Sequence, residues 1–320
     1  TGKFLITAWG YTMKITVMGT GGVGGYFGAR LADAGHDVAF IARGNHLKAL
    51  KNNGLTVYSE LGNLTINPIK VGDNPAEFGV ADIILFCVKA YDTQSAANLI
   101  KPIMGANTGV IPFLNGIGHI EILKETLGEN SVLGGVANIS ALIEEPGVIR
   151  HFSTMQILRV GELDNTPSTR IEKFRKACGD AAIDCPIPEN IERELWQKIV
   201  MICTLAGANC LTRLPLGECR TNPQTRELMV NLATEAVAVA ESLSVPLPKN
   251  QVELTMKLLD ALPETMKASI LAALERGEKL EASALNGAIA RLGRKNQIDA
   301  PNHTAVYAAL SPHENGTPKE

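Results

Sequence analysis

The chain has 320 residues, 45% of them hydrophobic, which is enough length and apolar content for two ordinary globular domains. Its formal net charge is −3 with both signs interspersed, so the composition argues against nucleic acid as the main partner. No apolar run is long enough to span a bilayer, which argues against a membrane-spanning helix.

The first twelve residues, TGKFLITAWGYT, lack the layout of a signal peptide. They are followed by MKITVMG, which has the form of a native start at Met13. We therefore expect residues 1–12 to be an extension outside the fold, and we expect a cytoplasmic protein.

The cysteines form no Cys-x-x-Cys pairs and do not alternate with histidines at metal-ligand spacing. Most of them lie in apolar runs such as ILFCVK and IVMICTLAGANC. We therefore expect reduced, buried thiols and no metal site, with a zinc or disulfide role as the alternative. The residues concerned are Cys87, Cys178, Cys185, Cys203, Cys210 and Cys219.

From Lys14 onward the pattern is a short apolar strand, a glycine-rich turn, a helix ending at Ala34 and Gly35, and a second strand over residues 38–41. This order predicts a βαβ unit. Later runs predict two more parallel strands, a pair of antiparallel strands, a helix, and a closing strand with a linker. These elements are predicted at residues 81–89, 109–114, 135–143, 147–160, 168–181 and 182–190.

The first strand runs directly into GTGGVGG, which contains Gly-x-Gly-x-x-Gly at Gly19, Gly21 and Gly24. In such a motif the first glycine permits a tight turn, the second lets a pyrophosphate approach the backbone, and the third allows close packing of helix and strand. The phosphates then lie at the amino terminus of the helix. We therefore predict a dinucleotide site, with a purely structural turn as the alternative. Its residues are Gly19, Thr20, Gly21, Gly22, Val23 and Gly24.

The end of the second strand indicates which dinucleotide is bound. An acidic residue there would bind a ribose 2′-hydroxyl, but this chain has Arg43 in FIARGNH, and a guanidinium suits a 2′-phosphate. Asp37 lies too early, at the beginning of the strand. Lys89 ends the strand ILFCVK at the rim where ligands bind in open α/β sheets. We predict NADP(H) as the cofactor, while solvated surface roles for both cations are the alternative.

After about residue 190 the strand signals fade and proline-punctuated amphipathic segments follow. They predict an all-α second domain. The predicted helices cover residues 191–212, 224–244, 249–261, 264–276, 281–295 and 303–310.

Lys198 is a candidate acid for ketone reduction, which needs a proton donor for the emerging alkoxide. At helical spacing it has the apolar neighbours Met201, Ile202 and Leu205. If Lys198 lines a cleft, desolvation lowers its pKa towards a useful range. The alternative is a lysine whose stem follows the apolar stripe while its ammonium reaches solvent.

Three further polar residues are candidates for the same site. Glu281 has small and apolar neighbours at helical spacing, Asn115 follows a predicted strand in PFLNGIG, and His119 is an alternative acid. The competing interpretations are a solvated helix-start carboxylate, an Asn-Gly turn and a loop or cap histidine.

Taken together, these blocks resemble the ketopantoate reductases (2-dehydropantoate 2-reductases). The resemblance runs from Met13 over nearly the whole chain, through KITVMGTGGVGG, FIAR, CVKAYDT, NGIG, ELWQK and a late glutamate followed by Asn-Gly. It implies an α/β Rossmann domain, over residues 13–188, and an all-α domain of the 6-phosphogluconate-dehydrogenase type, over residues 189–320. It also implies an active site in the cleft between the domains.

The resemblance also implies roles for single residues. Lys198 matches the general acid, Glu281 the glutamate that orients the substrate, and Asn115 an asparagine near the nicotinamide and the substrate. Ser269 matches a serine that contacts the substrate carboxylate. Arg43 and Lys89, already singled out above, match NADPH-binding positions.

The chain departs from the family pattern at three pocket positions. Asparagines usual in the family four and eight residues after the lysine are Ile202 and Ala206 here, and a third is Met266. Each lost hydrogen bond to the substrate could cost roughly 1–3 kcal/mol.

The sequence therefore leaves several functions open. They are a ketopantoate reductase, a reductase of a more apolar 2-oxo acid, and a non-catalytic NADPH-binding sensor. A β-hydroxyacid dehydrogenase fits less well, because Ile202 stands where those enzymes carry an asparagine. A small 2-oxo acid is the expected partner, and both a monomer and a homodimer are compatible with the sequence.

Overall fold

A computed structural model of the chain describes residues 12–317, so the expectation for residues 1–12 lies outside the described part except at Thr12. The chain divides into two compact units. Of the described residues, the first unit contains 12–114 together with Ile120–Ile191, and the second contains Asn115–His119 together with 192–317.

The first unit alternates strands with helices. Its strands are Lys14–Met18 (β1), Asp37–Ile41 (β2), Leu55–Tyr58 (β3), Leu64–Ile66 (β4), Lys70–Gly72 (β5), Ile83–Phe86 (β6), Gly109–Pro112 (β7), Leu133–Glu145 (β8) and Val148–Glu162 (β9). Its helices are Gly22–Asp33 (α1), Gly44–Asn53 (α2), Thr93–Ile100 (α3), Gly118–Leu127 (α4), which begins in the segment grouped with the second unit, and Thr169–Asp180 (α5).

The main sheet of this unit has five parallel strands in the order β5-β2-β1-β6-β7. Strands β1, β2, β6 and β7 correspond to the predicted parallel strands. Successive residues of β6 face opposite layers, with Ile83 and Leu85 in one apolar cluster and Ile84 and Phe86 in another. This burial on both faces is the reason why the strand is continuously apolar in sequence. The order changes direction at β1 and β6, and their carboxyl ends form the rim where ligands bind.

A second sheet has the strand order β4-β3-β9-β8. The predicted antiparallel pair is confirmed as β8 and β9. Of the predicted closing strand and linker over residues 182–190, the structure has a single bridge, from Asp184 to Ile157, and no full strand. Pro186 and Pro188 lack the backbone N–H that a strand needs for its ladder.

The second unit is helical, as predicted. Its helices are Ile191–Thr212 (α6, which starts on the last residue of the first unit), Leu216–Thr221 (α7), Pro223–Ser242 (α8), Gln251–Ala261 (α9), Ser269–Glu275 (α10), Asn286–Lys295 (α11) and Pro301–Leu310 (α12). The helix expected over residues 191–212 is confirmed. Within residues 12–317 no helix has the length and hydropathy required to cross a membrane.

The helix predicted over residues 281–295 is wrong at its start. Residues 282–284 form a single 3-10 turn, and Leu285 has φ −101° and ψ −107°, which interrupts the chain before α11 begins at Asn286. Glu281 therefore lies ahead of a turn and not on the face of a helix. The neighbours that helical spacing predicted for Glu281 are therefore not the ones that its position ahead of the turn implies.

A buried polar network joins four helices of the second unit. The side-chain amide of Asn286 donates to the carbonyl of Cys203 at 3.0 Å and lies 3.0 Å from Nδ1 of His303. Nε2 of His303 lies 2.9 Å from the carbonyl of Leu232, which can only accept, so Nε2 carries the proton and Nδ1 accepts from Asn286. Glu235 accepts the backbone N–H of His303 at 3.0 Å. The network fixes the start of α11, and with it the turn after Glu281, against α6.

Candidate active site

The glycine turn after β1 is closed on one side by tight packing. Gly19 has φ +102°, and a Cβ built on it would lie 2.8 Å from the carbonyl oxygen of Cys87, which follows β6. A Cβ on Gly24 would lie 2.3 Å from the carbonyl of Gly19 and 2.8 Å from Val17. Neither position has room for a side chain, so the turn lies directly against both central strands.

Gly21 is different, because a Cβ built there would meet nothing within 4 Å. It precedes α1 with an extended backbone, no side chain caps the helix, and the first turn carries no acidic residue. Open space therefore faces amide groups and the positive end of a helix dipole, which is the environment that a pyrophosphate needs. Gly22 and Val23 form the first turn of α1, and Thr20 anchors the loop by donating from Oγ1 to the carbonyl of Ile41 at 3.0 Å.

That anchor brings the glycine turn to the end of β2, two residues before Arg43. The Arg43 guanidinium is 81% exposed and lies 2.6 Å from Oδ2 of Asp92. Such an exposed ion pair contributes little stability, so a phosphate can compete with the carboxylate for the guanidinium. Lys89 is exposed at the start of the turn 90–92 that carries Asp92. These residues place two cations near the rim of the sheet beside the glycine turn.

In the second unit, Lys198 lies on α6 beside the apolar side chains of Met201, Ile202 and Leu205, which pack into the core of that unit. The residue as a whole is half-buried. Burial of the ammonium lowers the pKa of Lys198 to about 8. A group with this pKa is largely protonated at neutral pH and can still release its proton readily, as a general acid requires.

His119 is buried, with 4% of its surface exposed, and it lies within electrostatic reach of Lys198. Burial first, and the Lys198 charge second, lower the pKa of His119 to about 3. The imidazole is therefore neutral at physiological pH, which removes it as the alternative acid. Its Nε2 atom has no hydrogen-bond partner among the described residues.

The loop that carries Asn115 and His119 is seated on the second unit. Gly116 has φ +102°, and its Cβ would lie 2.5 Å from the carbonyl of Ala284, in the turn after Glu281. Ile117 packs against the apolar core of the same unit. Asn115 and Glu281 are both half-buried. The second unit thus gathers Asn115, His119, Lys198 and the Glu281 turn.

Ser269 is exposed as the first residue of α10. The preceding segment is fixed because Ala268 donates its N–H to Oδ1 of Asn209 at 2.8 Å. The described contacts do not join Ser269 to the group around Lys198. Sequence reasoning missed the Asp92 partner of Arg43 and the Asn286 network, although both residues lie in sequence blocks already singled out, CVKAYDT and the late Asn-Gly.

Residues 15–165 match the sequence model of the family "Ketopantoate reductase PanE/ApbA", and residues 190–314 match "Ketopantoate reductase PanE/ApbA C terminal". The chain is 31% identical over 302 residues to the uncharacterized oxidoreductase YkpB of Bacillus subtilis (strain 168), covering 94% of this chain and 99% of that protein. It is 32% identical over 295 residues to the 2-dehydropantoate 2-reductase of Archaeoglobus fulgidus, covering 92% and 95%.

Among solved structures, the chain is similar to a PanE/ApbA family ketopantoate reductase from Ralstonia eutropha JMP134. The TM-score is 0.86 at 28% sequence identity, and the match covers 94% of this chain and 98% of that one. The parallel-sheet unit and the helical unit are therefore both typical of these proteins.

The glycine turn yields a test that separates folding from dinucleotide binding. Because a Cβ on Gly21 meets nothing within 4 Å, we expect Gly21→Ala to unfold at the wild-type temperature. The added methyl group occupies the open side, so we expect NADPH affinity to fall by about tenfold or more, equivalent to ~1.4 kcal/mol. Fluorescence titration and thermal denaturation measure the two quantities.

Gly179→Ala is the matched control, since a Cβ built on Gly179, in α5, would also meet nothing within 4 Å. It should leave NADPH affinity unchanged. Equal affinities in the two variants would remove the glycine turn as the dinucleotide site.

Proposed function

The chain belongs to the ketopantoate reductase family of oxidoreductases, which act on CH–OH groups with a nicotinamide cofactor, and we propose that it uses NADPH to reduce a small 2-oxo acid to the 2-hydroxy acid. The observation that carries the proposal is the position of Lys198. Burial on an apolar helix face lowers its pKa to about 8, and the neighbouring histidine is too weak a base to take its role.

We assign to Lys198 the donation of a proton from Nζ to the keto oxygen as that oxygen gains negative charge. Below pH of about 8 the ammonium is charged, so it also attracts the substrate oxygen before the reaction. A bound reduced nicotinamide supplies the hydride. After proton donation, the lysine is neutral and regains a proton from water.

Glu281 and Asn115 are assigned to orientation of the substrate. Both are half-buried, and the loop of Asn115 packs on the turn that follows Glu281. A carboxylate and an amide held by packed backbone can fix the direction of hydrogen bonds with little reorganisation. Ser269, exposed at the start of α10, is assigned to the substrate carboxylate because it matches the family serine.

The first unit is assigned to the dinucleotide. Gly19, Thr20, Gly21, Gly22, Val23 and Gly24 would hold the pyrophosphate. The exposed Arg43 guanidinium would bind the 2′-phosphate, with Lys89 as a second cation, and this pairing supports NADPH over NADH. A non-catalytic sensor has no need of a lysine whose pKa is shifted towards neutrality, so Lys198 favours an enzyme.

We assign the choice of 2-oxo acid to three apolar residues that stand where the family carries asparagines. Ile202 and Met266 are half-buried and Ala206 is buried, and all three belong to or pack against the apolar core. Burying apolar surface contributes about 25 cal/mol per Å², so an isopropyl or phenyl group on the substrate can offset a missing amide contact. We therefore propose a preference for a 2-oxo acid more apolar than ketopantoate.

Arg43→Ala tests the cofactor assignment. The loss of the guanidinium should weaken NADPH binding by about tenfold or more and leave NADH binding nearly unchanged, because only NADPH carries the 2′-phosphate. Lys48→Ala removes an equal charge from an exposed position on α2, the helix that follows Arg43, and should affect neither cofactor. Equal losses for both cofactors in Arg43→Ala would contradict the assignment, as measured by fluorescence titration.

The acid assignment predicts opposite pH dependences for the two directions of the reaction. Reduction needs the protonated lysine, so kcat/KM should fall about tenfold per pH unit above pH of about 8. Oxidation of the 2-hydroxy acid needs the neutral lysine, so its kcat/KM should rise with pH up to the same value. Stopped-flow or steady-state absorbance of the nicotinamide measures both.

Lys198→Ala should retain NADPH binding, lower kcat by about 10²–10⁴ and abolish this pH dependence. Lys257→Ala, at an exposed position on α9, should behave as wild type. Near-normal turnover of folded Lys198→Ala would remove this lysine from the reaction.

A panel of 2-oxo acids with saturating NADPH tests the function itself. We expect detectable reduction of ketopantoate and a higher kcat/KM for at least one branched or aromatic 2-oxo acid, because Ile202 and Met266 are apolar where the family carries asparagines. A tenfold advantage of ketopantoate over every other acid would identify an ordinary ketopantoate reductase. No reduction of any 2-oxo acid would support the sensor instead.

A further inference from the structure

His119 lies within electrostatic reach of Lys198, but the proposed reaction does not use its imidazole. It is 4% exposed, yet its Nε2 atom has no hydrogen-bond partner among the described residues. A buried ring nitrogen without a partner costs free energy, of order 1–3 kcal/mol, so native proteins rarely retain one without a role. The position therefore needs an explanation beyond packing.

We propose that His119 is a specificity-determining residue that donates a hydrogen bond from Nε2 to the carboxylate of the bound 2-oxo acid. This inference rests on the proposed function and goes beyond it by naming a substrate contact on the Asn115–His119 loop. Lys198 serves the keto oxygen, and His119 serves the acid group beside it.

The loop holds His119 in a fixed place on the second unit. Three residues earlier, Gly116 lies so close to the carbonyl of Ala284 that a Cβ would approach it to 2.5 Å. Ile117 packs into the core, and His119 itself enters the first turn of α4. A side chain held in this way loses little conformational freedom on binding a ligand.

The protonation state decides which hydrogen bond His119 can make. Burial and the Lys198 charge keep the pKa of His119 at about 3, so the ring is neutral when Lys198 is charged. A neutral imidazole carries one N–H. A 2-oxo acid offers only oxygen acceptors at its carboxylate and keto groups, so Nε2 binds it only as the donor. Because His119 is neutral, it does not repel the Lys198 ammonium, and its N–H can still bind the substrate carboxylate.

The substrate carboxylate also needs a hydrogen-bond donor that three family positions do not supply in this chain. Ile202, Ala206 and Met266 have no side-chain N–H to offer to a carboxylate. A donor on the Asn115–His119 loop would supply one hydrogen bond to the carboxylate that these three side chains do not offer. This combination favours acids with a bare carboxylate and an apolar tail.

Three substitutions separate a substrate contact from a packing role. His119→Gln can place an amide N–H near the position of Nε2, whereas His119→Asn reaches only about as far as Nδ1, and His119→Leu removes both polar atoms. We expect His119→Asn and His119→Leu to raise KM for the best 2-oxo acid about 10- to 100-fold, the range for a hydrogen bond to a charged group. His119→Gln should stay within about threefold of wild type, whereas the loss of a hydrogen bond exceeds that range.

Binding of oxamate to the NADPH complex, measured by calorimetry, gives a readout that does not depend on turnover. Its Kd should follow the same order as KM. NADPH affinity and the falling limb of the pH profile near pH 8 should be unchanged in all three variants, because Lys198 is intact. A merely structural histidine would instead lower the unfolding temperature and the NADPH affinity together, without rescue by glutamine.

The outcomes distinguish this inference from the function on which it rests. If the wild type reduces no 2-oxo acid, the proposed function fails and this inference fails with it. If the wild type is active and the asparagine and glutamine variants do not differ in KM and oxamate Kd, only the inference is overturned. Loss in His119→Asn with retention in His119→Gln supports it, even where His119→Leu does not fold.

Discussion

The second unit is organised by the cost of placing a lysine ammonium among apolar helices. Water solvates a charge better than protein does, so burial on α6 destabilises the charged form of Lys198 and lowers its pKa to about 8. The same charge helps to keep His119 neutral. Burial is thus the main cause of both pKa shifts, and the Lys198 charge adds to the shift of His119.

Such a lysine is useful only if its neighbours cannot move away from it. The Asn286 amide donates to the carbonyl of Cys203 on α6 and faces His303 on α12. These contacts fix the start of α11, which follows the short turn after Glu281. Gly116 then fixes the Asn115 loop on that turn. In the first unit the corresponding constraint is steric, since a Cβ on Gly19 or Gly24 would clash with its neighbours, whereas a Cβ on Gly21 would meet nothing within 4 Å. In both units, packed backbone therefore holds the candidate site residues in place.

The parts that the sequence predicted are those with a strong local signal. Strand β6 is apolar throughout because both faces are buried, and α6 has uninterrupted helical periodicity, so their positions follow from the pattern. The start of α11 does not, because the break at Leu285 depends on tertiary contacts of Asn286 rather than on a proline or glycine. Likewise, nothing in NGIGH distinguishes a buried His119 from a loop histidine. Its burial comes from residues far away in sequence.

The shifted pKa of Lys198 also gives stability and the proposed reduction opposite dependences on pH. Its pKa is about 8 in the folded chain and near 10.5 when exposed, so between these values the unfolded chain binds more protons. Stability contributed by this group therefore rises with pH through that window and is lowest below pH of about 8. There both states carry the charge, and only the folded state bears the cost of burying it. The protonated lysine that the proposed reduction uses is thus the form that the fold tolerates least.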